Sequence, residues 1–253
     1  MNNLPHSTVF QVFEFRRYTI KPGKREQFAR YFESYFPEAF QQLGALAVGE
    51  FFERDPDGFT WIRAFRSIED RAIINGAFYY GPVWKEHKAT LNELMLDSDN
   101  VLLLAPLHPQ DGIAVLPAVD PVTEASGAQG IVVAQIFSVV PGRMAALAEQ
   151  ASSAFAQYRH AGACEAAVLA TLDVPNNFPQ LPVRTDGPYL VWIGVIKDEA
   201  SFKSKLSSLM TESGHALAGT GLVRGEPETT TMTPAPRSRL RWVASPHTSG
   251  GGE

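Results

Sequence analysis

One stretch of this sequence occurs twice, and a chain built on a repeat folds as a repeat. Phe13-Glu-Phe-Arg-Arg-Tyr-Thr-Ile-Lys-Pro-Gly-Lys24 aligns with Val132-Val-Ala-Gln-Ile-Phe-Ser-Val-Val-Pro-Gly-Arg143, so that Pro22 and Pro141 stand 119 positions apart. Thr60-Trp-Ile-Arg-Ala-Phe-Arg66 aligns with Val191-Trp-Ile-Gly-Val-Ile-Lys197, where Trp61 and Trp192 are 131 positions apart. The second copy has therefore gained residues between the two stretches. The Pro-, Asn- and Asp-rich run from Asp173 to Pro188, loop by composition, is where they fit.

The first copy reads as β-α-β-β-α-β. Phe10–Ile20 is rich in β-branched and aromatic residues and runs into Lys21-Pro22-Gly23, a strand followed by a turn. Phe28, Tyr31, Phe32, Tyr35 and Phe36 then fall at the spacing of one helical face, and Pro37 ends or kinks that helix. Leu46–Glu53 and Phe59–Arg66 flank the turn Asp55-Pro-Asp-Gly58 and predict a hairpin. Ser67, with Asp70 three residues on, caps a helix starting near Ile68; Pro82 suits the first position of another, and Val101–Ala105 closes the unit as a short strand. The second copy follows the same order, with helices over Arg143–His160 and from Ser201 to about Ala218 and a last strand around Glu228–Met232. The expected division is a first unit over 1–106, a Pro/Ala/Asp/Gly-rich linker over 107–129, a second, degenerate unit over 130–243 and a disordered tail over 244–253. The fold class is α+β, two tandem β-α-β-β-α-β units.

Composition narrows the partners. A net charge of −5 with dispersed Asp and Glu supplies no basic stripe for a phosphate backbone, so no nucleic acid is expected. No apolar run approaches the ~20 residues of a membrane helix, and Met1–Thr8 has no signal-like core; no membrane partner and a cytoplasmic location are expected. The single cysteine, Cys164, forms no internal disulfide and reads as a buried, inert thiol. The six histidines show no zinc spacing, so no metal is predicted; nucleotide and nucleophile-elbow motifs are missing, and no cofactor is expected.

Glu14-Phe-Arg-Arg-Tyr-Thr-Ile-Lys-Pro-Gly-Lys24, Trp61-Ile-Arg-Ala-Phe65, Phe78-Tyr-Tyr-Gly-Pro-Val-Trp84 and Asp97-Ser-Asp-Asn-Val-Leu-Leu-Leu104, in that order and spacing, resemble the NIPSNAP family over about the first 106 residues. The resemblance implies ferredoxin-like units of the dimeric α/β-barrel type, pairing sheet to sheet within or between chains. Relatives on that scaffold include cofactor-free monooxygenases, isomerases, haem enzymes and ligand-binding modules, so fold alone does not choose a function.

Candidate chemistry lies in the first copy. Strand alternation puts Glu14, Arg16 and Tyr18 in one polar row. The row is either an ion pair with a hydroxyl lying across the barrel interface, or a catalytic site in which Arg16 binds an anionic oxygen while Glu14 or Tyr18 moves a proton. Trp61, Arg63 and Phe65 share a face, with Arg63 either bridging to Glu14 or Glu50 or meeting a ligand. Tyr79, Tyr80 and Trp84 belong to an aromatic segment that either packs the core or lines an apolar pocket. His87, in the following helix, is a candidate ligand contact; as a haem ligand it has no supporting pattern. The second copy carries Val133, Gln135, Phe137 and Gly194 in place of Glu14, Arg16, Tyr18 and Arg63. The expected function is a cofactor-independent enzyme of monooxygenase or isomerase type, or a binder of a hydrophobic or aromatic small molecule; the alternative is a non-catalytic binding or assembly module. A homo-oligomer with an even subunit number is expected, because sheet faces need partners.

Overall fold

The structure, a computed structural model, describes residues 7–109 and 111–243. The tail expected over 244–253 lies outside them. In chain order the elements of the first half are β1 (Val12–Ile20), α1 (Arg25–Tyr35), α2 (Pro37–Leu43), β2 (Leu46–Glu53), β3 (Gly58–Phe65), α3 (Ile68–Tyr79), α4 (Pro82–Leu94) and β4 (Met95–Pro106). The second half has β5 (Ile131–Ser138), α5 (Met144–His160), β6 (Cys164–Thr171), β7 (Tyr189–Ile196), α6 (Glu199–Ser201), a π-helical turn over Phe202–Leu206, α7 (Ser207–Ala218) and β8 (Glu228–Pro234).

The strands close into one antiparallel barrel in the order β1-β3-β2-β8-β5-β7-β6-β4. Each half contributes four consecutive neighbours, and two seams join them: Phe51–Glu53 of β2 pairs with Met232–Pro234 of β8, and Leu104–Pro106 of β4 pairs with Leu169–Thr171 of β6. Every strand finds both neighbours inside the chain, so closing the barrel leaves no sheet edge that calls for a second subunit.

Alternation along β1 sorts its side chains. Phe13 and Phe15 enter the barrel interior with Val48, Ile62, Leu104 and, from the second half, Ile136, Val191 and Met232. Val12, Tyr18 and Ile20 face outward beneath α1–α4, packed with Phe28, Phe32, Phe36 and Trp61. Each such aromatic or large aliphatic side chain contributes roughly 1.5–3 kcal/mol on burial. The two halves thus share the barrel interior and keep separate helix-covered layers. The described residues of the segment expected as a linker hold no helix or strand, yet they are packed: Ile113 joins the barrel core, and Arg241 grips Glu124 with two bonds of 2.6 and 2.7 Å.

Local signals are used as read. Ser67 Oγ accepts from the Asp70 amide at 3.1 Å, and Pro37 opens α2 directly after α1. The fourth strand is longer than Val101–Ala105: Met95–Asn100, polar and loop-like by composition, pairs with β1 across irregular register and stays partly solvent-facing. Among the described residues no helix is long and apolar enough to cross a membrane.

Candidate functional site

Antiparallel pairing sets Glu14 opposite Arg63, and both project to the helix side of the sheet. Glu14 is fully buried and meets three guanidinium groups. Arg16 Nη1 donates to Oε2 at 2.9 Å, Arg63 donates to the same oxygen from Nε at 3.1 Å and Nη2 at 2.5 Å, and Arg71 Nε donates to Oε1 at 2.6 Å. Burial alone would raise the Glu14 carboxyl; the attraction of Arg63, Arg16 and Arg71 outweighs it and holds the group well below the usual carboxylate range. Three permanent positive charges against one negative leave this buried cluster two charges in excess. The row therefore lies under the helices and not across the barrel interior, and Arg63 bridges to Glu14, not to Glu50.

Arg16 Nε donates to the Tyr18 hydroxyl at 2.8 Å. That bond and the bond to Glu14 leave Nη2 unused by either, and Tyr18, having accepted, still has its own proton to give. Both residues line a cavity of about 240 Å3 whose walls are Phe32, Phe36, Phe40, Trp61, Phe78, Tyr79 and Trp84. It sits just under the ~300 Å3 at which ordinary ligand pockets begin. The Trp61 indole N–H is buried without a hydrogen-bond partner, as are Arg63 Nη1 and Arg71 Nη2. Burial pushes the Tyr79 hydroxyl up against the pull of Arg63 and Arg16. The mouth is more polar, with Asn92, Ser98 and the exposed Asp99.

The third wall comes from the other half. Gln180, Leu181 and Pro182, in the inserted run between β6 and β7, line the cavity. Arg71 Nη1 donates to Oδ1 of Asn176 at 3.0 Å and of Asn177 at 2.8 Å, Asn177 Nδ2 donates to the Ile68 carbonyl at 2.5 Å, and Phe178 packs its ring on Tyr79 with centroids 6.0 Å apart. Neither Arg71 nor this loop stood out among the sequence candidates. One signal for Arg71 was available: it falls on the buried stripe Ile74, Asn75, Phe78 of α3, where an unpaired charge has no place. A larger hollow of about 700 Å3 lies beside the same loop. Arg184, the charged group best placed in it, is already held by Asp186, Tyr189 and Asn100.

The remaining candidates are placed elsewhere. Tyr80 is exposed and its hydroxyl accepts from Gln180 at 3.1 Å. His87 shares a 2.8 Å hydrogen bond with the Tyr31 hydroxyl and stacks on Tyr35 at 3.8 Å; it meets the cavity wall edge-on at Phe36, with centroids 6.3 Å apart, and is not itself among the lining residues. Among the described residues no group of three or more His, Cys, Asp or Glu side chains is placed to hold a metal ion.

At the positions that align with the charged cluster, the second half carries uncharged residues. Asp198 caps its helix on the Ser201 amide as Ser67 caps α3 on Asp70, and this match brings Phe202 to the place of Arg71. Gln135, in the place of Arg16, accepts from the Tyr158 hydroxyl at 2.9 Å and donates to the Met210 carbonyl at 3.1 Å. The Trp192 ring fills the space over Gly194, in the place of Arg63. All four charges are lost together, which is how a single network behaves.

The NIPSNAP family model matches residues 13–108. None of the curated proteins matches the sequence. Among solved structures, a monooxygenase candidate from Fusobacterium nucleatum is 11% identical, with 89% of this chain and 93% of that chain covered at a TM-score of 0.56. An anthrone oxidase-like protein is 13% identical, with 93% and 96% covered at a TM-score of 0.53. A NIPSNAP family protein of unknown function from Agrobacterium tumefaciens is 24% identical, with 42% of this chain and 99% of that chain covered at a TM-score of 0.35. The fold is mixed α/β on a closed antiparallel barrel of eight strands, and the first two of these structures match it over most of their length.

Proposed function

From the premise that residues 13–108 form a NIPSNAP domain, we propose that the chain is a tandem of two ferredoxin-like units of which the first binds a small, flat, hydrophobic or aromatic molecule. The observation that carries this reading is the cavity of about 240 Å3, walled by aromatic rings and lined by Arg16 and Tyr18. Rings on opposing walls suit a planar ligand, and a guanidinium fixes its orientation. The second unit serves as the other half of the barrel and lends the loop carrying Asn176 to Pro182.

An enzyme of cofactor-independent monooxygenase or isomerase type fits the same geometry. In it Glu14 is the fixed counter-charge, since a carboxylate held so far below its usual range is a poor proton acceptor near neutral pH. Arg16 stabilises negative charge developing on a substrate oxygen, and Tyr18 carries the proton. In the oxygenating version dioxygen is the oxidant and the substrate the reductant: a CH2 group gives up both hydrogens and takes one oxygen atom as a carbonyl, and the second oxygen atom leaves with those hydrogens as water. The names of the two structures that match at full length, a monooxygenase candidate and an anthrone oxidase-like protein, support this class. Native mass spectrometry of the purified protein, followed by denaturation, tests the reading. A released aromatic metabolite, or saturable quenching of tryptophan fluorescence by 2-naphthol, is the expected result; absence of both overturns it.

The engagement of Arg16 and Arg63 by Glu14 favours a second reading, a non-catalytic assembly module. On that reading Arg16→Ala lowers the melting temperature and removes no binding activity.

A further inference from the structure

The lining of the cavity brings together one guanidinium and two phenol hydroxyls, from Arg16, Tyr18 and Tyr79, with Asp99 as its one carboxylate. Arg16 keeps Nη2 beyond its bonds to Glu14 and Tyr18. Tyr18 accepts one bond from Arg16 and retains its own proton, and Tyr79 brings a second hydroxyl. All three residues line the cavity. A hydrocarbon would leave these donors dry and unpaired, at roughly 1–3 kcal/mol each, and a neutral ether oxygen would meet them without the charge of an oxyanion. Behind them stands the excess of three guanidinium groups over one carboxylate, where low dielectric strengthens the attraction for an anion.

Resting on the reading of this cavity as an aromatic-ligand site, we propose that it takes a weak aromatic acid, a phenol or an enolisable ketone, and holds it as the conjugate base. The oxyanion sits against Arg16 Nη2 and the Tyr18 hydroxyl, and the ring lies between Phe36, Phe78 and Trp84. The proton leaves to solvent through the mouth. The charged and titratable groups around that oxygen are Glu14 and Tyr18 from β1, Arg63 from β3, Arg71 and Tyr79 from α3 and Asp99 from β4. α4 and the Asn176–Pro182 loop add only the neutral Asn92 and Gln180 to the lining. Asp99 opposes the anion but is exposed at the mouth, where water screens it. Glu14 is already matched by three cations. The balance favours the anion.

The test uses the whole wild-type protein with 4-nitrophenol, whose anion is coloured, and 4-nitroanisole, of nearly the same shape but with no acidic proton. Bound nitrophenol is expected to titrate at least about one pH unit below the free compound, and to bind at neutral pH about tenfold more tightly than nitroanisole. Tyr18→Phe, which removes one donor and keeps the aromatic ring, should weaken nitrophenol about tenfold and leave nitroanisole unchanged. An unshifted titration, or equal affinity for the two compounds, overturns the acid-binding proposal while the aromatic site stands. If neither compound binds, both readings fall.

Discussion

Arg71 Nη1 donates to Asn177 Oδ1 across 2.8 Å, joining a helix of the first half to a loop of the second, 106 residues away. The same guanidinium holds Glu14 through Nε, so the charged cluster and the cavity's third wall are tied by one side chain. Removing both acceptors with Asn176→Ala and Asn177→Ala leaves Arg71 with buried donors unmet. Each bond to a charged group is worth ~1.5–3 kcal/mol. For a chain of this length each kcal/mol moves the melting temperature by about 2–4 °C, so a fall of at least several degrees is expected in calorimetry, with weaker 2-naphthol binding. A variant as stable and as tight as wild type would show that the loop is not part of the site.

Glu14→Gln tests the cluster itself. Breaking a buried ion pair by deleting one partner costs about 3–5 kcal/mol, because the remaining charges are left uncompensated. The pH dependence has a definite sign. The Glu14 carboxyl is lowered in the folded state, so its contribution is present above the unfolded value of about 4.3 and is lost as pH falls through the lower folded value. The gap between wild type and Glu14→Gln should therefore be widest near neutral pH and narrow in acid. A gap that widens on acidification would contradict the geometry.

Glu50 makes the opposite case. It is buried in β2 beside Arg237 and Arg239, and burial, with Glu33 nearby, pushes its carboxyl up to about 8. The folded chain then holds a proton that the unfolded chain releases above about 4.3, so this group's contribution falls as pH rises between those values and levels off beyond the upper one. Glu50→Gln, which removes the titration, should raise stability relative to wild type progressively across that window, most of all at mildly alkaline pH. Urea unfolding at several pH values checks it; a constant difference would mean that Glu50 does not titrate there.

What the sequence carries and what it withholds divide along range. The Ser67 cap, the Pro37 break and the row of Glu14, Arg16 and Tyr18 are local patterns, and each appears in the fold where its spacing puts it. The polar run Met95–Asn100 conceals a strand because its neighbour β1, not its own composition, supplies the pairing. The site's completion was harder. Arg71 is one helical position among twelve, and Asn176 to Pro182 reads as an insertion with no periodicity. Only closure of the barrel brings that loop over the other half's cavity, since the β4–β6 seam sets the two side by side.

The loss of charge in the second half gives a control that separates fold from site. A Cβ at Gly194 would stand 2.1 Å from Cη2 of Trp192, whose ring is buried and anchored by its Nε1 bond to Glu165 at 2.8 Å. That ring cannot swing aside, so Gly194→Ala overpacks the layer under α5 and α7 and costs about 1–3 kcal/mol. The cavity lies beneath the helices of the first half, and its one contribution from the second half is a loop outside β7. The melting temperature should therefore drop while the affinity for 2-naphthol, measured well below that temperature, stays at the wild-type value. Loss of binding in step with stability would mean that the two helix-covered layers are coupled through the barrel and that the second half does more than complete it.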